Sequence, residues 1–172
     1  KERDVIIACD FSTKAETLQF LDQFKEEKPF LKIGMELYYS EGPQIVREIK
    51  ARGHKIFLDL KLHDIPNTVY KAMKNLAKLD VDMTNVHASG SIAMMQAAKK
   101  AIEEEHAHTK LIAVTQLTST SEEVLKEELW INHSMEETVK HYALNTQKAG
   151  LDGVVCSPLE AGLVHSVCNE DF

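Results

Sequence analysis

The chain has 172 residues, 44% of them hydrophobic and 27% charged, enough for one globular domain with a substantial core. A formal charge of -7, with Lys and Arg interspersed among the acids, argues against a surface built for nucleic acid, and no apolar run approaches the roughly 20 residues of a membrane span. The N-terminus Lys1-Glu2-Arg3-Asp4-Val5 lacks the apolar stretch of a leader, so a cytoplasmic protein is expected. Cys9, Cys156 and Cys168 form no C-x-x-C pair and would leave one odd thiol if two were bridged; reduced, mostly buried thiols are expected.

Val5 to Cys9 is a short apolar run ending at Asp10, and Thr13-x-x-Glu16 then reads as a capping box for a helix with Leu18, Leu21 and Phe24 at helical spacing. Phe30 to Ile33 gives a second strand. Gly42-Pro43 opens a helix that turns Ile45, Val46 and Ile49 inward and closes at Gly53. Ile56 to Lys61 is the third strand, and the helix beyond Pro66 sets Val69, Met73, Leu76 and Leu79 along one stripe. Val81 to His87 precedes a helix with Ile92, Met95 and Ile102. Leu111 to Thr115 precedes one helix near Glu122 to Trp130 and another at Val139 to Ala149, started by Ser134-x-x-Glu137. Val154 to Cys156 is the sixth strand, and Ser157-Pro158 caps a short helix through Val167. Met94, Met95 and Trp130 read as helix packing.

Strand and helix alternate without Pro/Gly-rich linkers, which places the chain in the α/β class with a parallel sheet. Periodicity alone does not separate a doubly wound sheet from a barrel, but no G-x-G-x-x-G follows the first strand, so a barrel is preferred. A (β/α)8 TIM-type barrel needs about 200 to 250 residues, and this sequence stops at Asn169-Glu170-Asp171-Phe172, where a seventh strand is due. The expectation is a single incomplete barrel domain over residues 1–172, with the C-terminal two units missing.

Charges fall at the strand ends. Asp10 ends the first strand, Lys32 lies between Leu31 and Ile33, and Asp59 and Lys61 end the third. Alternation points Asp59 and Lys61 to one face while Leu58, Leu60 and Leu62 take the other. Singly, such an Asp is a capping residue and such a Lys snorkels to solvent. Three adjacent strands delivering alternating charges to one rim point instead to an active site, because buried charges persist only when paired or used.

The segment Asp59-Leu60-Lys61-Leu62-His63-Asp64-Ile65-Pro66-Asn67-Thr68 closely resembles the D-x-K-x-x-D-I-P-x-T signature of the orotidine 5'-monophosphate decarboxylase family. Ile7-Ala8-Cys9-Asp10-Phe11, Leu31-Lys32-Ile33-Gly34-Met35-Glu36, Val86-His87-Ala88 and Ala113-Val114-Thr115-Gln116-Leu117-Thr118-Ser119 resemble its bacterial branch in the same order, so the likeness spans essentially the whole chain. The resemblance implies a cofactor-free, metal-free decarboxylase acting on orotidine 5'-monophosphate. It implies that Asp10 and Lys32 hold ribose hydroxyls, that Lys32, Asp59, Lys61 and Asp64 form an alternating charge network, and that Lys61 protonates C6 of the pyrimidine. Thr118 is expected to contact the pyrimidine. Asp64, Ile65 and Thr68 are expected to reach into a partner subunit's site, making a homodimer. The family's phosphate-gripping Gln and Arg lie beyond a seventh strand and have no counterpart in this sequence.

Two other readings compete. A magnesium-dependent sugar-phosphate decarboxylase of the same superfamily, such as 3-keto-L-gulonate 6-phosphate decarboxylase, shares D-x-K-x-x-D but carries a metal-binding Glu where this chain has Lys32, whose ammonium would repel the cation. A catalytically impaired, shortened barrel acting as a binding or dimerisation module would also keep these residues. His106-x-His108 beside Glu103, Glu104 and Glu105 reads as a solvated helix end more than a metal site. His87, ending the fourth strand, faces the same rim and reads as a buried, hydrogen-bonded structural histidine ahead of one that supports the site, and His63 is assigned no role.

Overall fold

Runs such as Phe30-Leu31-Lys32-Ile33 and Ile56-Phe57-Leu58 carry apolar side chains on both faces, and strands of that kind are stable only when both faces are covered. The computed structural model, which describes residues 4–172, covers one face with helices, while side chains of the other face, Phe57 and Val114 among them, line a cleft on the concave side of the sheet; Lys1, Glu2 and Arg3, the start of the segment read for a leader, lie outside the described residues. Strands β1 (Ile6–Ala8), β2 (Phe30–Gly34), β3 (Ile56–Leu62), β4 (Met83–His87), β5 (Lys110–Val114) and β6 (Gly153–Val155) pair in chain order, every neighbour parallel. The helices are α1 (Lys14–Leu21), α2 (Met35–Glu41), α3 (Pro43–Ala51), α4 (Pro66–Ala77), α5 (Ile92–Glu104), α6 (Glu122–Glu127), α7 (Met135–Lys148) and α8 (Ala161–Val167). The fold is α/β, six βα units of a TIM-type barrel forming a curled half-barrel. Among the described residues no helix is long and apolar enough to cross a membrane.

The main core lies between sheet and helices. Leu31, Ile33, Ile56, Leu58 and Leu111 are buried there against Ile45, Val46 and Ile49 of α3, Met73 of α4 and Met94 and Met95 of α5. Each such side chain contributes roughly 1.5–3 kcal/mol relative to exposure. A second cluster joins Val139 and Ala143 of α7 to Val164 of α8, with Cys156 and Cys168 half-buried against it. Only Cys9 is fully buried, so the expectation of mostly buried thiols holds for one of the three.

Caps fix the helix starts. Thr13 Oγ1 accepts from the Glu16 N–H at 3.2 Å, and both Ser134 with Glu137 and Ser157 with Glu160 form reciprocal capping boxes. Helix α2 was not expected from the sequence: it follows β2 directly and buries only Leu37, too little for a periodic signal. Gly42, at φ +69°, supplies the left-handed turn that separates α2 from α3. Helix α6 stops at Glu127, short of the expected Trp130, which is 85% exposed at φ +58° and packs on no helix core. Phe24 likewise lies beyond α1.

At the N-terminal end of the sheet one device occurs twice. Asp82, just before β4, accepts the Ile56 N–H at 2.8 Å and meets Lys50 of α3 at 3.0 Å. Asp152, just before β6, accepts the Leu111 N–H at 2.8 Å and meets Lys99 of α5 at 3.3 Å. Each carboxylate satisfies an amide at the start of the preceding strand, that of its first residue Ile56 in β3 and of its second residue Leu111 in β5, and ties the strand to a helix.

Candidate active site

At the C-terminal end of the same strands the charges meet one another. The β2–β3 register sets Gly34 opposite Asp59, and β1–β2 sets Ala8 opposite Lys32. Lys32 Nζ lies 3.3 Å from Asp10 Oδ1 and 3.5 Å from Asp59 Oδ2, and Lys61 Nζ lies 2.7 Å from Asp59 Oδ1. Asp10, Lys32, Asp59 and Lys61 thus form a continuous run of alternating sign. Asp59 is its buried centre, at 7% exposure, whereas the Asp10 side chain is 69% exposed.

A local irregularity produces this arrangement. Leu58 pairs with Thr84 and Leu62 with Val86, so four residue steps on β3 run beside two on β4. Within that bulge Lys61 adopts φ +50°, unusual for a side chain other than Gly, Asn or Asp. Its N–H is met at 2.8 Å by Asn85 Oδ1, while Asn85 Nδ2 donates to Asp59 Oδ1 at 2.7 Å.

Burial pushes the Asp59 carboxyl upward, but hydrogen bonds from Lys61 and Asn85 and the charges of Lys61 and Lys32 outweigh it, so the carboxyl is held below its ordinary range. Asp59 is therefore an anion at neutral pH beside two ammonium groups. Burial, reinforced by Asp10, pushes the neighbouring Cys9 thiol up to about 11, so it adds no charge to the site. His87 is half-buried instead of fully buried, and its partner is the His63 ring, centroids 5.6 Å apart; among the described residues it makes no hydrogen bond. Burial, then His63 and Lys61, lower its pKa, which favours the neutral ring.

Three clefts meet at Lys61. One of about 230 Å³ is lined by Asp10, Lys32, Asp59 and Lys61; a second of about 270 Å³ extends over Asn85 to Gln116, Leu117 and Thr118. The third, about 330 Å³, runs from Lys61 along His63, Asp64 and Thr68 to Met35 and Tyr39. The structure thus gathers Asp10, Lys32, Asp59 and Lys61 around one groove and sets Thr118 at its far wall. Asp64 is exposed, its carboxylate accepting the Ile65 N–H at 2.6 Å; among the described residues it makes no ion pair with Lys61. Ile65 is 65% exposed.

Asn85 is the member of the site that charge-based reading passed over. Asn is depleted in strands, so one between Thr84 and Val86 was an available signal, weakened by the polar Thr84 and His87 in the same strand. His106 and His108 are separate from the groove. His108 faces Asp80 and Asp82, while Glu104 bonds Tyr70 and Lys74; no group of His, Cys, Asp or Glu among the described residues is placed to hold a metal ion.

Alternating charges at the C-terminal ends of parallel strands, opening on a groove, define the active-site layout of a TIM-barrel enzyme. Residues 3–172 match the family model described as Orotidine 5'-phosphate decarboxylase / HUMPS family. The chain is 59% identical over 167 residues to an orotidine 5'-phosphate decarboxylase of Staphylococcus aureus, covering 97% of this chain and 72% of that relative. It is 55% identical over 171 residues to that of Fusobacterium nucleatum, covering 99% and 72%. The solved structure of orotidine 5'-phosphate decarboxylase from Lactobacillus acidophilus superimposes with a TM-score of 0.94 at 41% identity, over 99% of this chain and 79% of that one. The chain belongs to the orotidine 5'-phosphate decarboxylase / HUMPS family.

Proposed function

We propose that this protein converts orotidine 5'-monophosphate to uridine 5'-monophosphate in pyrimidine biosynthesis, with Lys61 as the proton donor. The observation that carries the reading is the Lys61 ammonium held 2.7 Å from the buried Asp59 carboxylate at the mouth of the groove. When the bond between C6 and the substrate carboxylate breaks, its electron pair stays on C6 in an sp2 orbital with little delocalisation. A fixed ammonium stabilises that charge electrostatically and then delivers its proton to C6 as carbon dioxide leaves. Asp59 orients the ammonium, and its negative charge beside the substrate carboxylate favours departure of that group.

Asp10 and Lys32 are assigned to the ribose hydroxyls and Thr118 to the pyrimidine, in keeping with their places along the groove. Asp64 and Thr68, which line the cleft beside Lys61, and the exposed Ile65 between them are assigned to a partner subunit's site in a cytoplasmic homodimer. The reaction in this form needs no cofactor and no metal. A divalent cation in the groove would face the Lys32 and Lys61 ammonium groups, which disfavours the magnesium-dependent sugar-phosphate reading.

The test is the loss of orotidine 5'-monophosphate absorbance on adding protein in the presence of a chelator. Rapid conversion is expected. No conversion by folded protein would overturn the proposal in favour of a binding or dimerisation module, and conversion that requires added magnesium would overturn the metal-free mechanism.

A further inference from the structure

Asn85 is 1% exposed, and both ends of its amide are used within the site. Its Nδ2 donates to the same Asp59 oxygen that receives the Lys61 ammonium, and its Oδ1 accepts the Lys61 backbone N–H. The second bond replaces a ladder hydrogen bond that the bulge between Leu58 and Leu62 removes. One side chain from β4 therefore holds both the backbone and the counter-ion of the residue assigned as proton donor.

We infer that Asn85 is a positioning residue, whose two-ended amide fixes Lys61 in its left-handed backbone conformation and Asp59 in the rotamer that receives the ammonium. The inference rests on the proposed role of Lys61 for its effect on turnover. Its structural content stands without that role. Only a group with a donor at one end and an acceptor at the other serves both bonds. Leucine of similar size supplies neither; a carboxylate supplies only the acceptor; a protonated carboxyl supplies both.

That chemistry gives a test that a merely space-filling role would not pass. In the full chain, Asn85→Leu is expected to lower kcat about 100-fold with KM changed less than about threefold, because the reacting groups are misplaced more than substrate binding is weakened. In Asn85→Asp the introduced carboxyl faces Asp59 directly, with Lys61, Lys32 and His87 nearby. Two carboxyls sharing one site favour holding a proton between them. The ratio of N85D to parent kcat is accordingly expected to rise at least about tenfold from about pH 8 to about pH 5. The second readout is independent of turnover: the carbon resonance of the Asp59 carboxyl, followed against pH, should titrate at higher pH in Asn85→Leu than in the parent.

An Asn85→Leu protein with kcat within about threefold of the parent, or with an unmoved Asp59 titration, would overturn the inference. So would an N85D-to-parent ratio that stays flat with pH, and this arm decides the matter if Asn85→Leu does not fold. A parent protein without decarboxylase activity would sink the functional reading alone. The Asp59 titration would still decide the positioning role.

Discussion

The two ends of the sheet use the same residue types for opposite ends. At the N-terminal rim Asp82 and Asp152 spend their oxygens on strand amides and on Lys50 and Lys99. At the C-terminal rim Asp10, Lys32, Asp59 and Lys61 pair with one another across an open groove, and a strand amide in their midst is served by Asn85 instead. Carboxylates that satisfy backbone make a fold stable, whereas ammonium groups held by carboxylates in front of a cavity can act on something placed there. Charge at a strand end is informative only once its partner is known.

The contrast is sharpest for Lys61. Lys61→Ala is expected to lower kcat by about 10⁴-fold or more, since it removes the group proposed as proton donor together with its charge. The substrate absorbance assay measures that loss, and a thermal scan should show the fold retained. Near-normal turnover would erase the distinction between the rims.

Asp82→Ala should behave in the opposite way. It strands the N–H of Ile56, a fully buried residue, and costs about 2 kcal/mol, lowering Tm by about 4–8 °C for a chain of this size. The kcat should change less than about twofold. A variant with unaltered Tm but impaired turnover would reverse the assignment of the two ends.

Acid should weaken both rims together. For Asp82, as for Asp59, burial raises the carboxyl's pKa, but the Ile56 N–H and the Lys50 charge more than offset it and leave the group below its ordinary range. A carboxyl depressed in the folded state binds protons more weakly there than in the unfolded chain. Its stabilisation is therefore complete above the unfolded value of about 4 and is lost as pH falls through the lower folded value. Urea midpoints should hold steady from neutrality to about pH 5 and then decline. In Asp82→Ala the decline should be shallower, because one of the two groups has gone.

How much of this was legible in the sequence depended on the kind of signal. Ser134-x-x-Glu137 and Ser157-Pro158 marked helix starts because a cap is a local hydrogen bond between near neighbours in the chain. The parallel sheet followed from alternation, and Asp10, Lys32, Asp59 and Lys61 stood out together because three adjacent strands deliver charges of alternating sign to one rim. Helix α2 was not legible, since Leu37 alone is buried and periodicity needs several contributors. Nor was the left-handed Lys61: within Leu58-Asp59-Leu60-Lys61-Leu62 the pattern reads as an unbroken strand, and the bulge arises from pairing with β4, a non-local event. Asn85 escaped for the same reason, because its task is defined only by what the bulge leaves unpaired.

Lys61 at φ +50° also bears on stability. A side chain in that conformation costs roughly 1–2 kcal/mol relative to glycine, which adopts it freely. Glycine also loses more entropy on folding, offsetting part of the gain. Lys61→Gly should therefore be at least as resistant to urea as Lys61→Ala, although both are expected to be inactive. Lys61→Gly also loses the ion pair with the buried Asp59 carboxylate, as Lys61→Ala does, so the conformational cost of this position shows only in the difference between the two variants, and in the parent the ion pair is set against that cost.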